Sequence, residues 1–392
     1  MYYVPLNNSN ADYGHQASRS HLQTVLRYAT FAALLLATRI ALTEPPPTAR
    51  SNISLDSNAA QVFSTEPSRG ATEPGLSAAQ DDDVVLLNCN SESEIYELST
   101  RHLSDRFCVI DEEAPNFQVC RWENCRWHTS SVDQALRGED KLTIVYVHGN
   151  FMERDNTRER VRIVDAYLKR QAKENYRLLL FSWPSEKQRP VLRDAADNAK
   201  VAEMESLYLA WILKQLGSQS RVSLLGFSYG ARTVTGALHL DAGGTIPGLS
   251  FMPPSSLRQT PYRLGLIAPA VDKKWLTASG RYCCALTQVD GFVNLYNSRD
   301  PVLRRFRFID NVTRPIAGGL NGFDGLYDPR SISPLAGGDA ENVRQFDCGA
   351  IIGTTHSEKS YLGKCPYFRV LLDNILWNPS TNEPTCSSCI EK

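Results

Sequence analysis

Residues 221–234 read RVSLLGFSYGARTV, and no other stretch limits the fold so tightly. An apolar run, Val222 to Leu225, leads into Gly226-Phe227-Ser228-Tyr229-Gly230, and a segment bearing Ala and Thr comes next. The pattern predicts strand, sharp turn and helix. A Gly-x-Ser-x-Gly turn between such elements puts a hydroxyl at the apex of a strained bend, where side chains at the two glycines would collide with backbone. Ser228 then stands above a sheet edge, and the helix N-terminus aims free amides at whatever approaches it. The motif is short; its context separates it from an ordinary glycine-rich turn.

The flanking sequence supplies that context. From Lys141 onward, apolar runs that read as strands (142–147, 177–183, 222–225, 262–268, 291–296 and 346–353) alternate with helical spacings at 158–173, 194–216, 229–239 and 366–377. Such alternation predicts an α/β domain with a mostly parallel, doubly wound sheet and helices on both faces. Ahead of it, runs at 84–87 and 94–101 and a hairpin at 117–128 predict an antiparallel N-terminal edge. With the hairpin arms meeting at Glu123-Asn124, Cys120 and Cys125 would face each other across it.

A lone serine hydroxyl is too weak an acid to attack at neutral pH. It needs a base within hydrogen-bond reach and a carboxylate that fixes the base's tautomer. In α/β-hydrolases they come in the order Ser, Asp, His, each after a strand's C-terminal end. The strand 291–296 ends in Asn297-Ser298-Arg299-Asp300-Pro301, which places Asp300 where the acid belongs. The strand 346–353 runs into Thr354-Thr355-His356, and His356 is the only histidine after His239. Asp290, Asp310 and Asp324 are lesser candidates for the acid, since none directly succeeds so clear an apolar strand.

Acyl transfer also needs donors for a developing oxyanion. One is the backbone amide of Tyr229; the other comes from the loop His148-Gly149-Asn150-Phe151, through the amide of Asn150 or of Phe151. His148, inside that turn, reads as a structural hydrogen-bonder. Trp183 fits either a substrate pocket or the core. The glycine-rich stretch 318–327 reads as a mobile rim, and Arg299, Arg304, Arg305 and Arg307 as a solvated helix face. No HExxH pattern, carboxylate cluster or phosphate loop points to a catalytic metal or a cofactor.

The runs VYVHGN, FSWPS, LLGFSYGAR, NSRDPVL and THSEKSYL together resemble the α/β-hydrolase superfamily. More narrowly they resemble a poorly characterised group of bacterial serine hydrolases with a Trp-Pro-Ser strand end. The resemblance covers roughly residues 141–377. It implies Ser228 as nucleophile, Asp300 as acid, His356 as base, and Tyr229 with Asn150 as oxyanion donors. The cysteine-bearing region before it and the proline-rich leader have no assigned role in the superfamily.

The net charge of −1 leaves no basic excess with which to bind nucleic acid. Near the N-terminus, residues 28–37 are apolar and preceded by Arg19 and Arg27, a length that suits an export signal and is too short to span a bilayer. An uncleaved membrane tether or an incidental apolar patch are the other readings of it. Ten cysteines form an even set and fit an oxidising compartment; Cys386-Ser-Ser-Cys389 reads as a terminal staple or free thiols rather than a zinc pair. The expected organisation is a leader (1–43), a Pro/Ser/Thr-rich disordered linker (44–80), a hydrolase domain (81–378, with its β edge at 81–140 and catalytic core at 141–378) and a tail (379–392). The expected function is hydrolysis of a small-molecule or lipid-like ester or thioester by an exported serine enzyme. A non-catalytic binding protein on the same fold and a serine peptidase are the rivals.

Overall fold

The computed structural model describes residues 94–103, 109–110, 115–138, 141–187, 191–308, 314–326 and 342–378. The leader, the linker, the run at 84–87, the tail cysteines and Asp310 lie outside these residues.

Unbroken apolar runs become strands buried on both faces, as parallel strands covered by helices must be. They are β5 (Leu142–Val147), β6 (Tyr176–Ser182), β7 (Val222–Phe227), β9 (Tyr262–Ile267) and β10 (Val289–Tyr296), and every residue of β5, β6 and β7 is buried. With β1 (Glu94–Ser99), β3 (Gln118–Glu123), β4 (Arg126–Thr129) and β11 (Val343–Asp347) they form one sheet in the order β11-β10-β9-β7-β5-β6-β1-β3-β4. A separate two-stranded pair joins β2 (Val109–Ile110) to β8 (Ser250–Phe251). The N-terminal strands do build the sheet's edge, but β1 runs parallel to β6, and the antiparallel pairs are β1 with β3 and β3 with β4.

The first helices are α1 (Val132–Leu136), α2 (Arg154–Lys169), α3 (Val191–Gln215) and α4 (Tyr229–Asp241). After them come α5 (Gly318–Asn321), α6 (Gly349–Ile352), α7 (Glu358–Lys364) and α8 (Tyr367–Ile375). Helices α3 and α4 pack on each other; α8 covers β9 and β10, and its Phe368 meets Tyr167 of α2 edge-on at 5.7 Å. Chain order reverses between β5 and β7, and the C-terminal ends of strands at such a switch point border a crevice. Registers Val147↔Gly226, Phe227↔Ile267 and Tyr296↔Asp347 bring the ends of β5, β7, β9, β10 and β11 to one rim. This is the α/β-hydrolase fold.

Several boundaries differ from the sequence reading. Helix α2 spans Arg154–Lys169 rather than 158–173, because its first turn is polar and carries no apolar period. The hairpin turns at Asn124-Cys125, both with positive φ (50° and 60°), a two-residue turn whose twist matches its strands. That register pairs Cys120 with Thr129, so Cys120 is a free thiol, whereas Cys125 is disulfide-bonded elsewhere. The last strand ends at Asp347, not at residue 353. The Asp347 carboxylate accepts from the amides of Gly349 (2.8 Å) and Ser298 (3.1 Å), turning the chain into α6. An apolar run as short as Ala350–Ile352 has no period of its own to tell strand from helix.

Candidate active site

Ser228 sits between β7 and α4 with φ 53° and ψ −115°. A serine in that region is strained by roughly 1–3 kcal/mol, held by its surroundings. Its amide donates to Ile267 O (3.0 Å) and its carbonyl accepts from the amides of Ala231 (3.2 Å) and Ala270 (3.0 Å). Glycine on either side is a steric requirement. A Cβ on Gly230 would lie 2.1 Å from the Val147 carbonyl oxygen, and one on Gly226 2.7 Å from Ala231 Cα.

His356 spans the gap between Ser228 and Asp300. Its Nδ1 lies 2.6 Å from Asp300 Oδ2, and its Nε2 2.9 Å from Ser228 Oγ. An ionised carboxylate only accepts, so Nδ1 carries the proton and Nε2 accepts from the serine hydroxyl. Asp300 is fully buried, and its other oxygen accepts from the amides of Val302 (2.8 Å) and Leu303 (3.0 Å) at the start of the 3₁₀ turn Leu303–Phe308. Ser228 is 6 % exposed and the His356 side chain 17 %, so both keep some contact with solvent. The Phe227 ring lies 5.3 Å from the imidazole and walls its other side.

Asn150 and Tyr229 lie on the same rim. The Phe151 amide donates to Ser185 O (2.8 Å), so of the two amides expected to serve from that loop this one is already engaged. The Asn150 carboxamide accepts from Asn198 of α3 (2.7 Å), fixing the turn. The Tyr229 amide opens α4 and has no partner within the helix, while the Tyr229 hydroxyl is tied to Ala195 O (2.8 Å). Both backbone donors therefore sit in anchored turns.

The loop carrying His356 is fastened at three places. A disulfide joins Cys348 and Cys365, both buried, with Cα atoms 6.1 Å apart. The buried Asn297 carboxamide donates to Gly353 O and Thr355 O, each at 2.9 Å. Glu358, two residues past the histidine, is buried against Arg160 (2.6 Å) and the Tyr146 hydroxyl (2.9 Å); burial raises its carboxyl pKa while Arg160 opposes that. Sequence reading missed this support, although Asn297, between strand and acid, was its nearest visible sign.

Other predicted residues fall away from the chemistry. Asp290 pairs with Arg263 (2.8 Å) and Asp324 with Lys273 (2.9 Å). Trp183 is wholly buried in the core, its indole N–H donating to His148 O (2.9 Å). Residues 318–321 are a packed helix rather than a mobile rim, because the Gly319 amide and carbonyl are both bonded, to Pro269 O and the Asn297 amide. Arg299, Arg304, Arg305 and Arg307 are exposed, in keeping with a solvated face.

No protein-family model and no curated protein matches the chain. Among solved structures it is similar to esterase B from Lactobacillus rhamnosis inhibited by a C6-C4 SN3 compound, at 14 % identity and TM-score 0.28, over 57 % of this chain and 74 % of that one. The tributyrin-phosphonate-inhibited form of that esterase matches at 12 % and 0.28, over 66 % and 76 %. A lipase-esterase related protein from Clostridium acetobutylicum matches at 12 % and 0.25, over 60 % and 93 %. At such identities and scores the functional reading rests on the geometry of the site itself.

Proposed function

We propose that this chain is a serine hydrolase that cleaves a carboxylic ester or thioester through an acyl-enzyme. The carrying observation is the unbroken hydrogen-bond line from Ser228 through His356 to Asp300. As Ser228 Oγ attacks the carbonyl, His356 Nε2 takes its proton and Asp300 stabilises the imidazolium. The amides of Tyr229 and Asn150 receive the oxyanion. His356 then protonates the leaving group, and the same nitrogen activates the water that releases the acid.

Phe151 and Val302 are exposed on the turns after β5 and β10, and Ile351 on helix α6 after β11. Apolar groups around the rim favour a lipid-like acyl chain over a sugar or peptide. The Trp-Pro-Ser strand end and the HGN and GFSYG motifs group the chain with the poorly characterised bacterial serine hydrolases they resemble. The Cys348–Cys365 disulfide suits export to an oxidising compartment. Among the described residues, no helix is long and apolar enough to cross a membrane.

A panel of p-nitrophenyl esters of graded chain length tests the proposal. Turnover that rises with acyl length and vanishes in Ser228→Ala supports it. Equal turnover by Ser228→Ala at every length would sink it, and no turnover by either protein would favour the binding-protein reading.

A further inference from the structure

The far end of α4 carries a second cluster of reactive side chains. His239 stands about 15 Å along the helix from Tyr229, at 1.5 Å of rise per residue. Residues 272–288, mostly turns, fold back over it and bring the sequence neighbours Cys283 and Cys284. Both are free, half-buried thiols with sulfurs 3.7 Å apart. One ligand atom from each of His239, Cys283 and Cys284 lies within 4.8 Å of the others.

Two thiolates on a tetrahedral ion with bonds of about 2.3 Å stand roughly 3.8 Å apart, so the sulfur spacing is already that of a chelated metal. The histidine is prepared in the same sense. The Cys284 amide donates to His239 Nδ1 (3.1 Å), and the Thr245 carbonyl faces Nε2 at 3.2 Å. A backbone amide only donates, so Nδ1 is bare and Nε2–H is donated to the carbonyl. A carbonyl on one ring nitrogen fixes the tautomer and aims the other lone pair, as around metal-ligating histidines. The ring cannot swing away. A Cβ on Gly244 would lie 2.2–2.4 Å from its atoms, and the Tyr282 ring packs 5.8 Å from it. Burial lowers the imidazole pKa, which keeps it neutral.

We propose that His239, Cys283 and Cys284 bind one thiophilic divalent ion of the zinc type, which pins residues 272–288 to the end of α4. Burial and the neighbouring sulfur raise the Cys284 thiol to about 11. One ion enters, two thiol protons leave to solvent, and Nδ1 exchanges its amide hydrogen bond for the metal. Solvent takes the fourth tetrahedral position. The site lies at the opposite end of α4 from Ser228, so it takes no part in the chemistry proposed there, and it stands or falls independently of the hydrolase reading.

The test uses the full chain carrying Cys386→Ser and Cys389→Ser, which removes the tail pair, with free thiols first counted by alkylation and mass spectrometry. After chelator treatment the protein is titrated with Co²⁺ and then Zn²⁺. The expected result is saturation at one equivalent, with a thiolate-to-cobalt charge-transfer band and tetrahedral d–d bands that Zn²⁺ abolishes. Added Zn²⁺ raises the Tm, and neither effect survives Cys283→Ser/Cys284→Ser. His239→Gln weakens binding about a hundredfold. No uptake at one equivalent, a cobalt spectrum without thiolate charge transfer, a Cys283–Cys284 disulfide in the isolated protein, or uptake unchanged in the double serine variant each overturns the proposal. The cobalt spectrum is read with all three ligands native, so a misfolded ligand variant does not blunt the test.

Discussion

His148 lies just after β5 and His356 after β11, on the same rim of the sheet, yet their surroundings give them opposite chemistry. His148 Nε2 accepts from Arg101 Nη2 (3.1 Å) and the Trp183 amide (3.2 Å), two groups that can only donate. Its Nδ1–H is therefore left to Gly149 O (2.8 Å), and the ring stacks on Trp183 at an interplanar angle of 5°. Burial first, and the Arg101 charge second, push its pKa well below the ordinary histidine value. His356 has a carboxylate on one nitrogen and a hydroxyl on the other, and part of it meets solvent. A histidine whose partners are fixed donors and a carbonyl is a strut; one between an acid and a hydroxyl is placed to move protons.

The largest effects should fall on the His356 side. Ser228→Ala lowers kcat for ester hydrolysis by about 10⁶-fold with an unchanged Tm, and steady-state kinetics beside a thermal melt read both. Residual turnover within tenfold of wild type would erase the contrast. Asp300→Asn leaves the fold intact but presents the wrong imidazole tautomer, so kcat falls by about 10⁴-fold. Structural loss without kinetic loss in that variant would make Asp300 a strut as well.

Opening the Cys348–Cys365 bridge with paired serines sharpens the comparison differently. A loop closed over 17 residues is stabilised by about 3 kcal/mol, a loss that denaturant titration should show. The His356 loop would loosen with it, lowering kcat, whereas the His148 turn has no such tie to lose.

The smallest effect belongs to His148→Gln, expected to cost about 2 kcal/mol of stability through its lost hydrogen bonds. The pH dependence carries the sign. A folded pKa below the unfolded one means only the unfolded chain takes up this proton near pH 6. His148 thus contributes stability above the unfolded value of 6.5 and loses it as pH falls, at up to about 1.4 kcal/mol per pH unit. The glutamine variant should show a flatter fall between pH 6.5 and 5 in chemical unfolding, and an unmoved pH profile of kcat/KM. A shifted kinetic profile would make His148 part of the proton path.

How much of the fold and site was legible in the sequence depends on how far apart the interacting residues lie. The strands of the core, the turn at Ser228 and the ordering of Asp300 and His356 rest on local apolar runs and on the few residues at their C-terminal ends. The supports of His356 are long-range. Cys348 with Cys365, Asn297 with Gly353, and Glu358 with Arg160 and Tyr146 leave no periodic trace. Arg154 and Arg158 on α2, meeting the wholly buried Glu97 of β1 at 3.0 and 2.7 Å, are equally silent. The cysteine positions showed that bridges were available but not which ones form, since pairing is set by strand register and turn type.

The most direct measurement of the central claim is labelling of the native protein with a fluorophosphonate, located by peptide mass spectrometry. The account predicts a single adduct on Ser228, absent from Ser228→Ala, sharply reduced in Asp300→Asn and lost on unfolding. No adduct on Ser228 in the folded protein, or equal labelling after Ser228→Ala, would contradict it.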